Sequence, residues 1–113
     1  MSRAQTRQAI ADALSTVAGI HGYPARPDVM GEGDAWPQWR GSAPRAYAAE
    51  HTWAVLIVLP QADDVSADSF ADEHEEALTD ALRPVMSVDS IAPAEIASEA
   101  GPLYALLITG RSE

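Results

Sequence analysis

Three histidines, His21, His51 and His74, are the first residues to test for metal chemistry. A zinc site draws on ligands at supportive spacing, such as two histidines four apart on one helix. His74-Glu75-Glu76-Ala77-Leu78 opens like that pattern and then places Leu78 where the second histidine belongs. His74 is expected at the edge of a core instead. The acidic run downstream of Asp63 has a partial calcium-loop spacing. With Asp64 first, Ser66, Asp68, Phe70, Asp72 and Glu75 fall at the third, fifth, seventh, ninth and twelfth positions. The sixth is Ser69, where the sharp turn of such a loop requires glycine. The same residues make one continuous helix face, so a solvated acidic face is the expectation.

Other catalytic patterns are missing as well. The chain has no cysteine, which excludes disulfides and thiolate ligands. Carboxylate pairs are so frequent here that none is informative, and paired catalytic acids need environments that split their pKa values. No Gly-x-Ser-x-Gly elbow occurs. Gly31-Glu32-Gly33 is too short to cradle a phosphate, and Asp34 follows it with the wrong charge. We therefore expect no enzyme, no catalytic residue, no metal and no cofactor.

Trp36, Trp39 and Arg40 stand out in a different way. Tryptophan and arginine are the residues most enriched at binding hot spots, which makes the trio a candidate contact for another subunit or for the tube described below. The opposite reading, that both rings fold back to cap a small sheet, stands beside it. Trp53 heads an apolar run and is expected in the core. Seven basic residues, all arginine, face seventeen acidic ones, for a formal charge of -10. That sign disfavours a protein that grips nucleic acid. Arg3 and Arg7 fall in the first turns of a helix, where its dipole disfavours positive charge; simple solvation of both is expected.

The elements that would position these residues follow from periodicity. Ser2 to Val17 is predicted helical, with Ile10, Ala13, Leu14 and Val17 on one face and Gly19 as the stop. Gly22 to Pro27 is predicted extended, because Pro24 and Pro27 bias their predecessors away from helix. Met30 to Pro44 holds three glycines and two prolines. It is predicted to be an irregular loop with at most a short strand around Trp36 to Arg40. Tyr47 to Leu59 is the clearest strand, with a run typical of burial on both faces. Asp63, Asp64 or Ser66 then caps an amphipathic helix that Pro84 ends. Its apolar face holds Phe70, His74, Ala77, Leu78, Ala81 and Leu82, and its acidic face Asp68, Asp72, Glu73, Glu75, Glu76 and Asp80. Met86 to Ile91, with Met86, Val88 and Ile91 inward, and Leu103 to Thr109 complete the strands, joined through a turn at Ser98 to Pro102.

This order predicts an α+β fold: a small mixed or antiparallel sheet with two helices packed on one face, in a single domain spanning 1–113. The longest apolar run, Trp53 to Leu59, is far short of the roughly 20 residues that cross a bilayer. The first residues are polar and lack the apolar stretch of a secretory signal. We expect no membrane association and synthesis in the cytoplasm.

Along its length the sequence resembles the tail terminator proteins of long-tailed bacteriophages. The matching features are an N-terminal helix running into LSTVAGIHGYPARP, then GDAWPQW and the strand WAVLIVLP. An acidic helix closing in ALRPV follows, then VDSIAPAEI and a last strand ending in TGRSE. The resemblance implies a small α+β subunit of a virion, assembled in the host cytoplasm. Its homo-hexameric ring would cap the tail tube, stop polymerisation of the tube protein and offer a docking face to the head connector. DNA would pass through the lumen without specific binding. A lumen lined by carboxylates repels phosphates, so the helix face around Asp72, Glu73 and Glu76 is our candidate for that lining. Alternatives are another phage neck protein, of the head-closure, connector or tail-completion kind, and a cellular ligand-binding α+β domain, which would show a concave apolar pocket.

Overall fold

Ser2 starts the first helix by closing a capping box. Its hydroxyl accepts the Gln5 N–H at 3.1 Å, while the Gln5 side-chain oxygen accepts the Ser2 N–H at 2.8 Å. The computed structural model describes residues 1–113 and carries this helix, α1, over Arg3–Ser15. Ile10, Ala11 and Leu14 are its buried stripe. Gly19, at a φ of 83°, turns the chain back along the helix into β1, His21–Gly22. A Cβ on Gly22 would sit 2.1 Å from the Ala11 carbonyl oxygen, so α1 lies directly on this strand and only glycine fits. The extended segment expected over Gly22 to Pro27 therefore gives the sheet only its first residue.

Strand β2 spans Asp34–Pro44 and β3 spans Ala49–Val58; helix α2 covers Asp64–Leu82, followed by β4, Ser87–Ile96, and β5, Leu103–Ser112. The sheet order is β1-β2-β3-β5-β4, with β1 parallel to β2 and every other pair antiparallel. It is a five-stranded mixed sheet with two helices, an α+β fold as its element order predicts. The irregular loop expected over Met30 to Pro44 is corrected from Asp34 onward, where the chain is an eleven-residue strand. Its prolines and glycine are accounted for by position: β2 has no neighbour outside Ala35, so Pro37 and Pro44 cost the ladder little, and Gly41, at a φ of 134°, follows a bulge.

Side chains alternate across the sheet and build two cores of unequal size. On one face, Ile10, Leu14 and Val17 of the α1 segment and Ala67, Leu78 and Leu82 of α2 cover Trp53, Val55, Ile57, Leu106 and Ile108. Each of these large side chains contributes about 1.5–3 kcal/mol on full burial. Ala77, expected on the buried face of α2, is exposed, and Ala67 is buried there instead. On the other face, Trp36, Val58, Ile96 and Ala105 form a smaller cluster with Met30, Leu56 and Leu103 against it. No helix covers this side. The β1–β2 connection does so, and Arg26 within it donates to the Ala97 carbonyl at 2.6 Å, beyond the far edge strand.

The molecule measures 47 × 29 × 20 Å. Its length comes from the β2–β3 hairpin. These strands pair out to Pro44↔Ala49, whereas β5 accompanies β3 only as far as His51↔Ser112. The last rungs project alone, with Tyr47 fully exposed at the tip.

Candidate functional site

Residues 36 and 39 are an odd number of positions apart on a strand, so their side chains leave opposite faces. Trp36 is 2 % exposed and belongs to the smaller core, as a residue of the sheet itself and not of a loop folded back over it. Trp39 lies on the helix side, half-buried against the main core. Arg40 is the bulged residue between the register positions of Trp39 and Gly41, exposed and without an ion-pair partner. The three residues therefore do not form one patch; Trp39 and Arg40 remain near each other at the outer strand.

Trp39 instead meets α1. The Arg3 guanidinium stands 4.2 Å from the Trp39 ring centroid, and that of Arg7 is 5.8 Å from the Trp53 ring. Each geometry is that of a cation–π contact, worth about 0.5–2 kcal/mol. This corrects the expectation that both arginines are merely solvated, and it offsets their unfavourable position at a helix N-terminus. The indoles are held from their other side. Trp39 Nε1 donates to His51 Nδ1 at 3.3 Å, and Trp53 Nε1 donates to the Ser112 hydroxyl at 2.8 Å. The pairing of strand tryptophans with helix arginines was not read from the sequence; the signal was the presence of arginines where the dipole opposes them.

The hairpin base carries a chain of ion pairs. Arg45 contacts Glu50 at 3.0 Å, Glu50 contacts Arg111 at 3.6 Å, and Arg111 holds Asp89 through two hydrogen bonds of 2.9 Å. The Arg111 fork keeps the Asp89 carboxyl below its ordinary value, and Asp89 raises that of Arg111 in return. Asp63 is also lowered, because it accepts the Ser66 N–H at the start of α2. Both shifts favour the ionised acid and both have structural partners.

Helix α2 spreads its acids over two surfaces. Asp72, Glu73 and Glu76 are exposed, with no cationic partner. The acids proposed for a calcium loop lie on this continuous helix, so their carboxylates radiate rather than converge. Asp64, Asp68, Asp72 and Glu75 turn toward β4. With Glu95 they rim an open groove of about 620 Å³ whose walls include Ala67, Ala71, Ile91 and Leu106. The depth comes from alanine at two positions four apart on α2, a signal present in the sequence but passed over. His74 sits half-buried at the core edge; its Nδ1–H donates to the Phe70 carbonyl at 2.8 Å and its ring stacks on Phe70 with centroids 4.0 Å apart. No helix is long and apolar enough to cross a membrane.

No protein-family model matches the sequence, and no curated protein is significantly similar to it.

Proposed function

We propose that the chain is the subunit of a ring that closes the tail tube of a long-tailed phage, a tail terminator. The observation that carries this reading is the open sheet. Strand β4 has no partner on its outer side, and β2 has none beyond Ala35. A closed ring is one heterologous contact repeated until it shuts. Two free edges on opposite sides of one small domain, plus a projecting hairpin, are what such a contact draws on. The order of features along the chain supports the same family, and the α+β fold is of the class it implies. In this assembly the partners are further copies of the chain, the tail tube protein and the head connector. Of the α2 acids expected at the lumen through which DNA passes, Glu73 and Glu76 point away from the groove and take that role, whereas Asp72 sits on the groove's rim.

The test is the mass of the purified protein by light scattering across salt and magnesium, repeated with polymerising tube protein. The expected result is a species about six times the 12.0 kDa of one chain, favoured by salt, and tubes capped at a defined length. A monomer under all conditions that leaves tube growth unchanged overturns the reading. Capping of a portal-proximal protein instead of the tube points to another neck position. The groove beside α2 favours a second reading, a ligand-binding domain, since its volume lies in the range of small-molecule sites. That reading requires a stable monomer and a cationic ligand to match the acidic rim.

A further inference from the structure

Charge is divided unevenly along the chain. Residues 1–62 hold five arginines and five acids (Asp12, Asp28, Glu32, Asp34, Glu50), whereas residues 63–113 hold two arginines and twelve acids. The two arginines of the second half are both spent internally, Arg83 on Asp80 and Arg111 on Asp89 and Glu50. Arg3, Arg7 and Arg40 have no ion pair, and all three lie around Trp39 at the α1/β2 side of the sheet. The unpaired carboxylates of the groove lie at the opposite side, between α2 and β4. Basic and acidic surfaces thus face away from each other across one sheet.

We propose that the α2/β4 groove is the docking site for the β2 edge of a second copy of this chain, with Arg40 entering between Asp68 and Glu75. The proposal deepens the ring reading and rests on it for the closure of the assembly. Three features fit this occupant. The groove offers apolar walls at Ala71 and Ile91 beneath a carboxylate rim, which suits the long apolar stem and charged head of an arginine. Arg40 projects from a bulge on a strand whose outer side is free beyond Ala35, so no strand of its own chain lies there. The two surfaces lie on opposite edges, so one copy's β2 meets the next copy's β4 and the contact is head-to-tail, the form that closes rings. Partial neutralisation at each contact also reduces the repulsion between chains of formal charge -10. Glu73 and Glu76 stay outside the groove and remain free for a lumen.

Charge exchange tests this directly. Arg40→Glu and Asp68→Arg change exposed side chains that make no ion pair or side-chain hydrogen bond within their own chain, and each is expected to fold as the parent does. Each variant alone should self-associate about tenfold more weakly or worse, read by light scattering at matched salt. An equimolar mixture should recover parental association, because every contact between unlike chains again joins opposite charges. The two substituted positions face each other at one contact, and the native Arg40 and Asp68 face each other at the next. If the parent oligomerises and neither variant weakens it, or the mixture does no better than its components, the groove is not the contact although the ring stands. Should the parent be monomeric in solution, Arg40→Cys and Asp68→Cys chains are mixed and oxidised, the parent having no cysteine of its own. A disulfide-linked heterodimer formed in preference to either homodimer supports the contact, and a statistical mixture overturns it.

Discussion

The two tryptophans of β2 make opposite demands on the fold, and substituting each in turn separates core from surface. Trp36 is 2 % exposed among Val58, Ile96 and Ala105. A ring of this size buries roughly 150–250 Å², which at about 25 cal/mol/Å² is about 4–6 kcal/mol. Alanine retains a little of that burial and the site relaxes only in part, so Trp36→Ala should cost about 3–5 kcal/mol. For 113 residues the unfolding entropy is about 0.24 kcal/mol/K, so the melting temperature should fall by roughly 12–20 °C. Trp39 is half-buried and loses less: about 0.5–2 kcal/mol from the Arg3 contact and about 1 kcal/mol from its bond to His51, with a part of its apolar area. Urea unfolding followed by far-UV circular dichroism measures both. A Trp36→Ala protein within about 1 kcal/mol of the parent, or a Trp39→Ala protein less stable than the Trp36→Ala one, would refute the assignment of these rings to their faces.

Two further expectations follow. Asp89 and Asp63 are both held below their ordinary values, so the unfolded chain takes up protons more readily; their stabilisation is complete above about pH 4 and is lost as pH falls through their folded values. Between pH 7 and pH 3 the urea midpoint of Asp89→Asn should change less than that of the parent, and parallel curves would remove the argument. Lysine at Glu73 and Glu76, the two acids of that face outside the groove, should leave folding and tail assembly intact while slowing DNA passage, and normal ejection from such particles would discard the lumen assignment.

Long, strongly periodic segments were legible in the sequence. The α2 cap at Asp63, its end before Pro84 and the β3 run from Trp53 all fall where the residues place them. Spacing even exposed a detail not recognised as such. Val88 and Ile91 share one face in the sequence reading although they are three apart, which a regular strand forbids. The register shift between Val88 and Ser90 makes Asp89 a bulge, and the two side chains do share the helix side. The candidate site was less legible because it depends on pairs distant in sequence. Nothing local to Arg3 announces Trp39, and the groove needs α2 and β4 side by side before its alanines mean anything.

The largest misreading concerned β2, and its cause bears on function. Proline and glycine mark loops when a strand is assumed to have two neighbours, because a missing donor or an unusual φ then breaks a ladder. On an edge strand a proline can place its missing donor on the outer side, and a bulge disturbs one ladder instead of two. Pro37 and Pro44 stand on β2 and Pro93 on β4, the other free edge, while Gly41 follows the bulge in the β2–β3 ladder. An uninterrupted edge of this length would pair with any exposed strand. These breaks discourage indiscriminate backbone pairing, and in the contact proposed above association would rest on side chains, arginine on one edge and carboxylate on the other. On the proposed contact, an acidic protein with two open edges would avoid indiscriminate aggregation as a single copy and still recognise the next one.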